Sequence, residues 1–353
     1  MPSADEPMSK SSMRAEDMIE PTDLTKRTEL PSPRRIAARF LARFGPLPFL
    51  IVPSILIFAW GNPRFVSEAN VVNMLQQGVY LLLAAIAQLL VLIAGGFDLS
   101  VGSNIALTSI VSSSLMVAVQ QIYPDAAWLA VLVGFAATLG VGAFAGICNA
   151  AGVALLKVNP FIVTLATASI FQGLTLLISQ GLQIEGLPEP FVEVLGAGFV
   201  WQIPVPALIA IPLVLFFYVL TSWTRFGRNL YATGSNPRAA LIAGISVPWV
   251  LFVTYLCCAV LAAITGFLLT ARVSSGEPLL GAEFPLRSIT AAVIGGCSLR
   301  GGKGTVVGVV LGVVFVTILA NGMDLLRLGS NYQMIILGVV LIAAVVLDRY
   351  RAT

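Results

Sequence analysis

The chain has 353 residues, of which 58% are apolar (AVILMFWYC) and 10% charged, with a formal net charge of +3 and no histidine. A soluble domain is about one quarter charged, so water cannot keep this chain in solution and it reads as an integral membrane protein. The lack of histidine excludes His-based triads, His-ligated metals and haem, so no catalytic residue and no metal site is expected.

Residues 1–43 mix charges of both signs with Pro, Ser and Thr and show no sustained apolar period, which predicts a disordered cytoplasmic tail. The first apolar run has a long charged lead-in and no small-residue cleavage pattern after it, so it is expected to stay in the membrane as an uncleaved anchor. From there to residue 350 the charges are segregated. Charge-free runs cover 44–63, 69–97, 99–124, 126–156, 158–184, 194–224, 239–271, 304–323 and 328–347. Nearly all reach the ~20 residues that carry a helix across ~30 Å of hydrocarbon. A tenth run, 288–299 between Arg287 and Arg300, is shorter and fits either a tilted crossing or a re-entrant segment.

Charge placement chooses between these. With the N-terminus inside and ten crossings, Arg34, Arg35, Arg39, Arg43, Lys157, Arg225, Arg228, Arg238, Arg300, Lys303, Arg349 and Arg351 fall inside, against Arg64, Arg272, Arg287 and Arg327 outside. Lys and Arg accumulate on the cytoplasmic side of membrane segments, and a re-entrant 288–299 would erase most of that bias. The acidic residues Glu68, Asp125, Glu185, Glu189, Glu193, Glu277, Glu283 and Asp324 then lie outside. The expected fold is all-α, with about ten transmembrane helices, some broken or short, and both termini cytoplasmic.

Two glycine clusters interrupt the helices. Gly95-Gly96-Phe97-Asp98-Leu99-Ser100-Val101-Gly102-Ser103 separates the second and third, and Gly295-Gly296-Cys297-Ser298-Leu299-Arg300-Gly301-Gly302-Lys303-Gly304 follows the short run. At an offset of 200 they share Gly95/Gly295, Gly96/Gly296, Leu99/Leu299 and Gly102/Gly302. Broken helices recurring in two halves occur in transporters with internal repeats, although glycine-rich sequence also produces such matches by chance. Asp98 is the sole acidic residue in the apolar tract 69–124. An ionisable group at membrane depth is a functional candidate; at the inner end of the second helix it is first read as a cap for the third, then as a contact for solute or a gate.

Gln88, Asn104, Thr108, Asn149, Thr164, Thr167, Gln172, Thr175 and Asn321 place uncharged polar groups on the helices. Such groups suit a small neutral polyhydroxy solute better than an ion, and they also serve as interhelical glue. Gln88, Asn149, Gln172 and Asn321, with Asp98, are the pathway candidates. Asn159-Pro160 signals a capped helix start. The outer loop 181–204, with Pro188, Pro190, Phe191 and Trp201, predicts an irregular or short interfacial element.

The inner loop 223–246 has the character of an interaction element. Asn236 as N-cap, Pro237 at the first helical position, alanine-rich turns and Gly244 as terminator predict a short helix beneath the membrane. Lys303 in its glycine cluster fails as a phosphate loop, because the first glycine position is Cys297 and the Ser/Thr position is Gly304. The chain therefore has no nucleotide site of its own.

The stretches GGFDLSVGS (95–103), NPFIVTLATASIFQGLTLLISQG (159–181), TRFGRNLYATGSNPRAALIAGIS (224–246), AAVIGGCSLRGGKGTVVGVVLG (291–312) and NYQMIILGVVLIAAVVLD (331–348) resemble, in order, the permease subunits of bacterial ATP-binding-cassette importers for monosaccharides, the ribose, xylose and autoinducer-2 group. The resemblance implies a multi-pass permease in the bacterial inner membrane. It implies pairing with a second permease as homo- or heterodimer, two cytoplasmic ATPase subunits that bind the ATP and Mg, and an extracytoplasmic sugar-binding protein; nucleic acid is not an expected partner. It makes 223–246 the coupling loop, with Tyr231, Arg238, Ala239, Ala240 and Gly244 facing the ATPase. Arg238 stands where the family usually has glutamate. Competing readings are an ion-coupled secondary transporter built around Asp98, a membrane-embedded enzyme, and import of amino acids or nucleosides by a similar permease.

Overall fold

The computed structural model describes residues 47–351; the tail 1–43 lies outside them. The helices are α1 (Leu47–Gly61), α2 (Glu68–Ile93), α3 (Val101–Ile122), α4 (Ala127–Ala150), α5 (Pro160–Ser179), α6 (Val205–Trp223), α7 (Arg225–Ser235), α8 (Pro237–Ile242), α9 (Val247–Val273), α10 (Phe284–Ile294), α11 (Val306–Leu325) and α12 (Ser330–Arg351). A π-turn over Ala151–Leu155 extends α4, and the strands β1 (Phe199–Val200) and β2 (Ile203–Pro204) pair as a small hairpin. Among the described residues, seven helices are long and apolar enough to cross a membrane: α2, α3, α4 with its π-turn, α5, α6, α9 and α11. The protein is an all-α membrane protein.

Helix ends follow the sequence signals. Asn159 accepts from the Phe161 N–H at 2.9 Å with Pro160 opening α5, and Thr305 accepts from the Gly308 N–H at 3.0 Å ahead of α11. The outer loop, residues 181–204, holds a single π-turn (Phe191–Gly196) and the β1–β2 hairpin between irregular stretches. Phe191 is its anchor, fully buried with its ring 4.8 Å from that of Phe267, while Trp201 stands exposed at the tip of the β1–β2 hairpin.

The core forms around α2, whose second half is buried on every side, as expected of a helix that is apolar all round. The outer helices approach one another through small residues. Gly142 and Gly146 of α4 lie against Val260 and Leu256 of α9, with no room for a Cβ. Close backbone approach gains dispersion contacts where lipid tails give no hydrophobic drive.

The path of residues 274–295 resolves the short tenth run. α3 and α9 run parallel, since Asn104 Nδ2 donates to the Ala259 carbonyl at 2.8 Å and Thr270 Oγ1 donates to Ser109 Oγ at 2.7 Å. Beyond Val273 the chain turns back along α3. Gly276 lies against Ser113, the Glu277 N–H donates to Ser109 Oγ at 3.0 Å, Gly281 lies against Ile105, and Pro285 against Gly102. α10 continues that descent, then α11 rises beside it, with Gly295 against Gly308 and Ala291 against Gly312. The tenth run is thus a half-helix entered through an irregular strand of chain. Glu283 and Arg287, expected in an outer loop, instead stand at the head of this half-helix.

Candidate functional site: the helix breaks and the hook

The two glycine clusters adopt the same backbone turn. At the end of α2 the Gly95 N–H donates to Leu92 O and the Gly96 N–H to Val91 O; at the end of α10 the Gly296 N–H donates to Val293 O and the Cys297 N–H to Ala292 O. Both are Schellman closures with glycine in the left-handed region, Gly95 at φ +83° and Gly296 at φ +91°. The structural match therefore runs at an offset of 201, one residue away from the register of shared letters. Gly95 corresponds to Gly296, and Gly96 to Cys297. Glycine is favoured where φ is positive, and neither Gly96 nor Gly295 is such a position.

The turn after α2 holds Asp98. Its Oδ1 accepts from the Ser100 N–H at 2.8 Å and from Ser100 Oγ at 2.6 Å, an Asx-type turn that fixes the entry to α3. Its Oδ2 accepts from Asn149 Nδ2 at 3.4 Å and from the Cys258 thiol at 3.5 Å. Asn149 also donates to Ser100 Oγ at 2.8 Å and accepts from Thr167 Oγ1 at 2.6 Å. With its amide turned to satisfy both ends, Gln88 donates to the Asp98 carbonyl at 3.1 Å and accepts from the Asp98 N–H at 3.2 Å.

Asp98 thus reaches much further than a local cap. Thr167 is the eighth residue of α5 and Cys258 the twelfth of α9, which at 1.5 Å per residue places the cluster about 10–16 Å from the starts of those helices. Asp98, Gln88, Asn149 and Cys258 are all essentially inaccessible. The carboxylate is satisfied by neutral donors, so it pins one turn to α4 and α9. Beneath it, a cavity of about 320 Å³ lies between the π-turn of α4, the starts of α5 and α9, and residues 94–96, with Lys157 and Tyr255 in its lining. The Tyr255 hydroxyl donates to Phe97 O at 3.4 Å, so this side chain stands between cavity and carboxylate.

Two pathway candidates lie elsewhere. Gln172 Nε2 donates to the Pro278 carbonyl at 2.9 Å and so holds the returning chain against α5. Asn321 forms a reciprocal amide pair with Asn70 of α2, at 2.8 and 3.0 Å.

Residues 223–246 fold as a hook of two helices. The short helix is as expected: Asn236 Oδ1 accepts from the N–H groups of Arg238 and Ala239, and Gly244 closes it at φ +80°. Arg238 and Ala239 are exposed, Ala240 is buried, and Leu241 and Ile242 are 63% and 88% exposed. The sequence did not announce α7, capped by Thr224. It carries two glycines, a composition that packing stabilises rather than propensity.

α7 is joined to both helix breaks. Gly234 fits against the Ile93 carbonyl and the Gly302 amide, Gly301 sits over Gly95 and Gly234, and the Gly302 N–H donates to Ile93 O at 2.8 Å. The Tyr231 hydroxyl donates to Gly304 O at 2.6 Å. Burial, and secondarily the Cys297 thiol, push the Tyr231 phenol above its ordinary value, so it stays a donor through neutral pH.

Residues 70–345 match the family model described as "Branched-chain amino acid transport system / permease component". The chain is 37% identical over 313 residues to the ribose import permease protein RbsC of Bacillus subtilis (strain 168), covering 88% of this chain and 94% of that protein. It is 34% identical over 313 residues to the D-allose transport system permease protein AlsC of Escherichia coli (strain K12), covering 88% and 93%. It is 32% identical over 309 residues to the galactose/methyl galactoside import permease protein MglC of the same strain, covering 85% and 91%. No solved structure matches. With its apolar helix bundle, its paired helix breaks and this likeness along nearly the whole membrane domain, the chain belongs to the transport-system permease family, as a multi-pass membrane permease component.

Proposed function

We propose that this permease carries a monosaccharide or related polyol through the inner membrane as the membrane subunit of an ATP-binding-cassette importer. The observation that carries the reading is the likeness, over most of the chain, to permeases named for ribose, allose and galactose. An interior of amides and hydroxyls, whose one buried carboxylate among the described residues is satisfied by neutral donors, supports a neutral solute over an ion.

In this reading ten segments cross, α10 with its irregular lead-in counting as one, and both termini are cytoplasmic. The Arg and Lys bias supports that orientation. α7 and α8 form the coupling hook. Partner ATPase subunits bind ATP and Mg and seat on α8, where Leu241 and Ile242 offer an apolar face with Arg238 and Ala239 beside it. Closure of the ATPase pair pushes α8. Tyr231 and the glycine joint pass the displacement to the turns at Gly95 and Gly301, and so to the turn that carries Asp98. A second permease completes the pathway and an extracytoplasmic sugar-binding protein delivers solute.

The test is uptake in proteoliposomes containing this permease, its ATPase and its binding protein, with ribose, allose and galactose supplied in turn. ATP-dependent accumulation of a sugar is expected. Accumulation that persists without ATP or the ATPase refutes the assignment.

A further inference from the structure

We infer that Glu283 and Arg287 line an aqueous route at membrane mid-depth and hydrogen-bond the passing solute there. Their height follows from α11. The contacts Gly295–Gly308 and Ala291–Gly312 fix the antiparallel register of α10 on α11, and one turn further on Arg287 lies level with Val316. Val316 is the eleventh of the twenty residues of α11, a helix long and apolar enough to span. Arg287 therefore stands about 15 Å from either end of that span, and Glu283 one turn of about 5 Å nearer the outer end.

Both side chains are open at that depth. Arg287 Nη2 pairs with Glu283 Oε2 at 2.5 Å, with the side chains 30% and 45% accessible, and Leu286 between them is also exposed. The accessible part of Arg287 is its outer end, since Nε is buried against the chain. Charged groups at the centre of a bilayer face a bundle interior or a water-filled cavity, because lipid solvates neither charge nor free N–H. The accessible face of α10 is thus a wall of the water-filled path, not of the lipid boundary.

The pair also has a chemistry suited to the solute proposed above, and this part of the inference rests on that reading. A carboxylate accepts from two hydroxyls and a guanidinium donates to two oxygens. Together they match adjacent hydroxyls on a sugar ring while adding no net charge to the path.

The test uses the complete complex in lipid vesicles. Leu286→Cys leaves both charges in place. A charged, membrane-impermeant methanethiosulfonate reagent is expected to modify it, as read by peptide mass against the wild-type chain, and sugar-loaded binding protein to slow that reaction. Glu283→Gln and Arg287→Gln are each expected to lower uptake roughly tenfold, the loss of one charge-assisted hydrogen bond, with the ATPase still assembled. The double variant Glu283→Gln/Arg287→Gln, which strands no charge, should keep the thermal stability of the wild type and the transport defect. No modification at position 286, or wild-type uptake in the double variant, overturns the inference. Labelling needs no sugar, so a complex that imports a different solute still reports whether the pair meets water.

Discussion

Replacing Gly234 by alanine sets two effects of opposite sign against each other. Gly234 lies in α7, where alanine is favoured over glycine by up to ~1 kcal/mol on propensity alone. A Cβ there, however, would overlap the Ile93 carbonyl and stand 2.8 Å from the Gly302 amide nitrogen. Both are backbone atoms and cannot rotate aside. Overpacking of this kind costs about 1–3 kcal/mol, and parting the backbones also stretches the Gly302–Ile93 hydrogen bond, worth about 1 kcal/mol. The net expectation is a loss of about 2 kcal/mol, with propensity overruled. Gly140→Ala is the control: its Cβ meets nothing within 4 Å, and α4 should gain a few tenths to ~1 kcal/mol. Thermal unfolding of both variants in detergent, with ATP hydrolysed per sugar imported by the full complex, reads stability and coupling together. Gly234→Ala should melt earlier and hydrolyse ATP with less import. If it is as stable as Gly140→Ala and transports normally, the joint does not transmit force.

Asp98→Ala leaves the Ser100 N–H and hydroxyl without their acceptor, about 1–3 kcal/mol for each buried group left unpaired, while the Asn149 amide keeps Ser100 Oγ; Asp98→Asn keeps an acceptor and should keep most of the uptake, so equal losses in the two variants would assign the role to charge. Tyr231→Phe strips the Gly304 carbonyl of its donor and should lower the melting free energy by about 1 kcal/mol while weakening coupling, read as ATPase rate with and without loaded binding protein. Asn236→Ala removes a cap that accepts from two N–H groups of a six-residue helix, worth about 1 kcal/mol. Co-purification with the ATPase should fall, and unchanged binding would detach α8 from docking. Ala240→Glu buries a charge where the side chain is 4% accessible and should abolish assembly without removing the protein from the membrane, as read by membrane fractionation.

Much of this architecture was legible because membrane physics writes coarse signals. Charge-free runs, the Asn-Pro starts of α5 and α8, and the glycine stops each follow from local backbone chemistry. The failures have three causes: backbone conformation, the half-helix, and distance in sequence. The repeat aligned by letters came out one residue out of register, because the backbone selects glycine by φ at Gly95 and Gly296 and is indifferent to identity beside them. The rule that a charge ends a span puts Arg287 in a loop. A half-helix violates that rule, since an irregular lead-in runs back along α3 before the helix begins at Phe284. Asn321 and Gln172 gave no sign of their partners Asn70 and Pro278, which lie 251 and 106 residues away. Asp98 was found as an isolated charge, and its ties to Asn149 and Cys258 emerged from packing.

The hydrogen bond from Gly302 to Ile93 closes a loop of about 210 residues. A ribosome makes the end of α2 about 210 residues before it makes residue 302, so Ile93 waits without its partner through more than half of synthesis, and the groove at Gly234 waits a shorter time. The joint forms when the chain is nearly complete. A protein truncated before Gly301 therefore carries an unseated hook, and the surface that partners would meet is finished late, which ties assembly to a nearly finished chain.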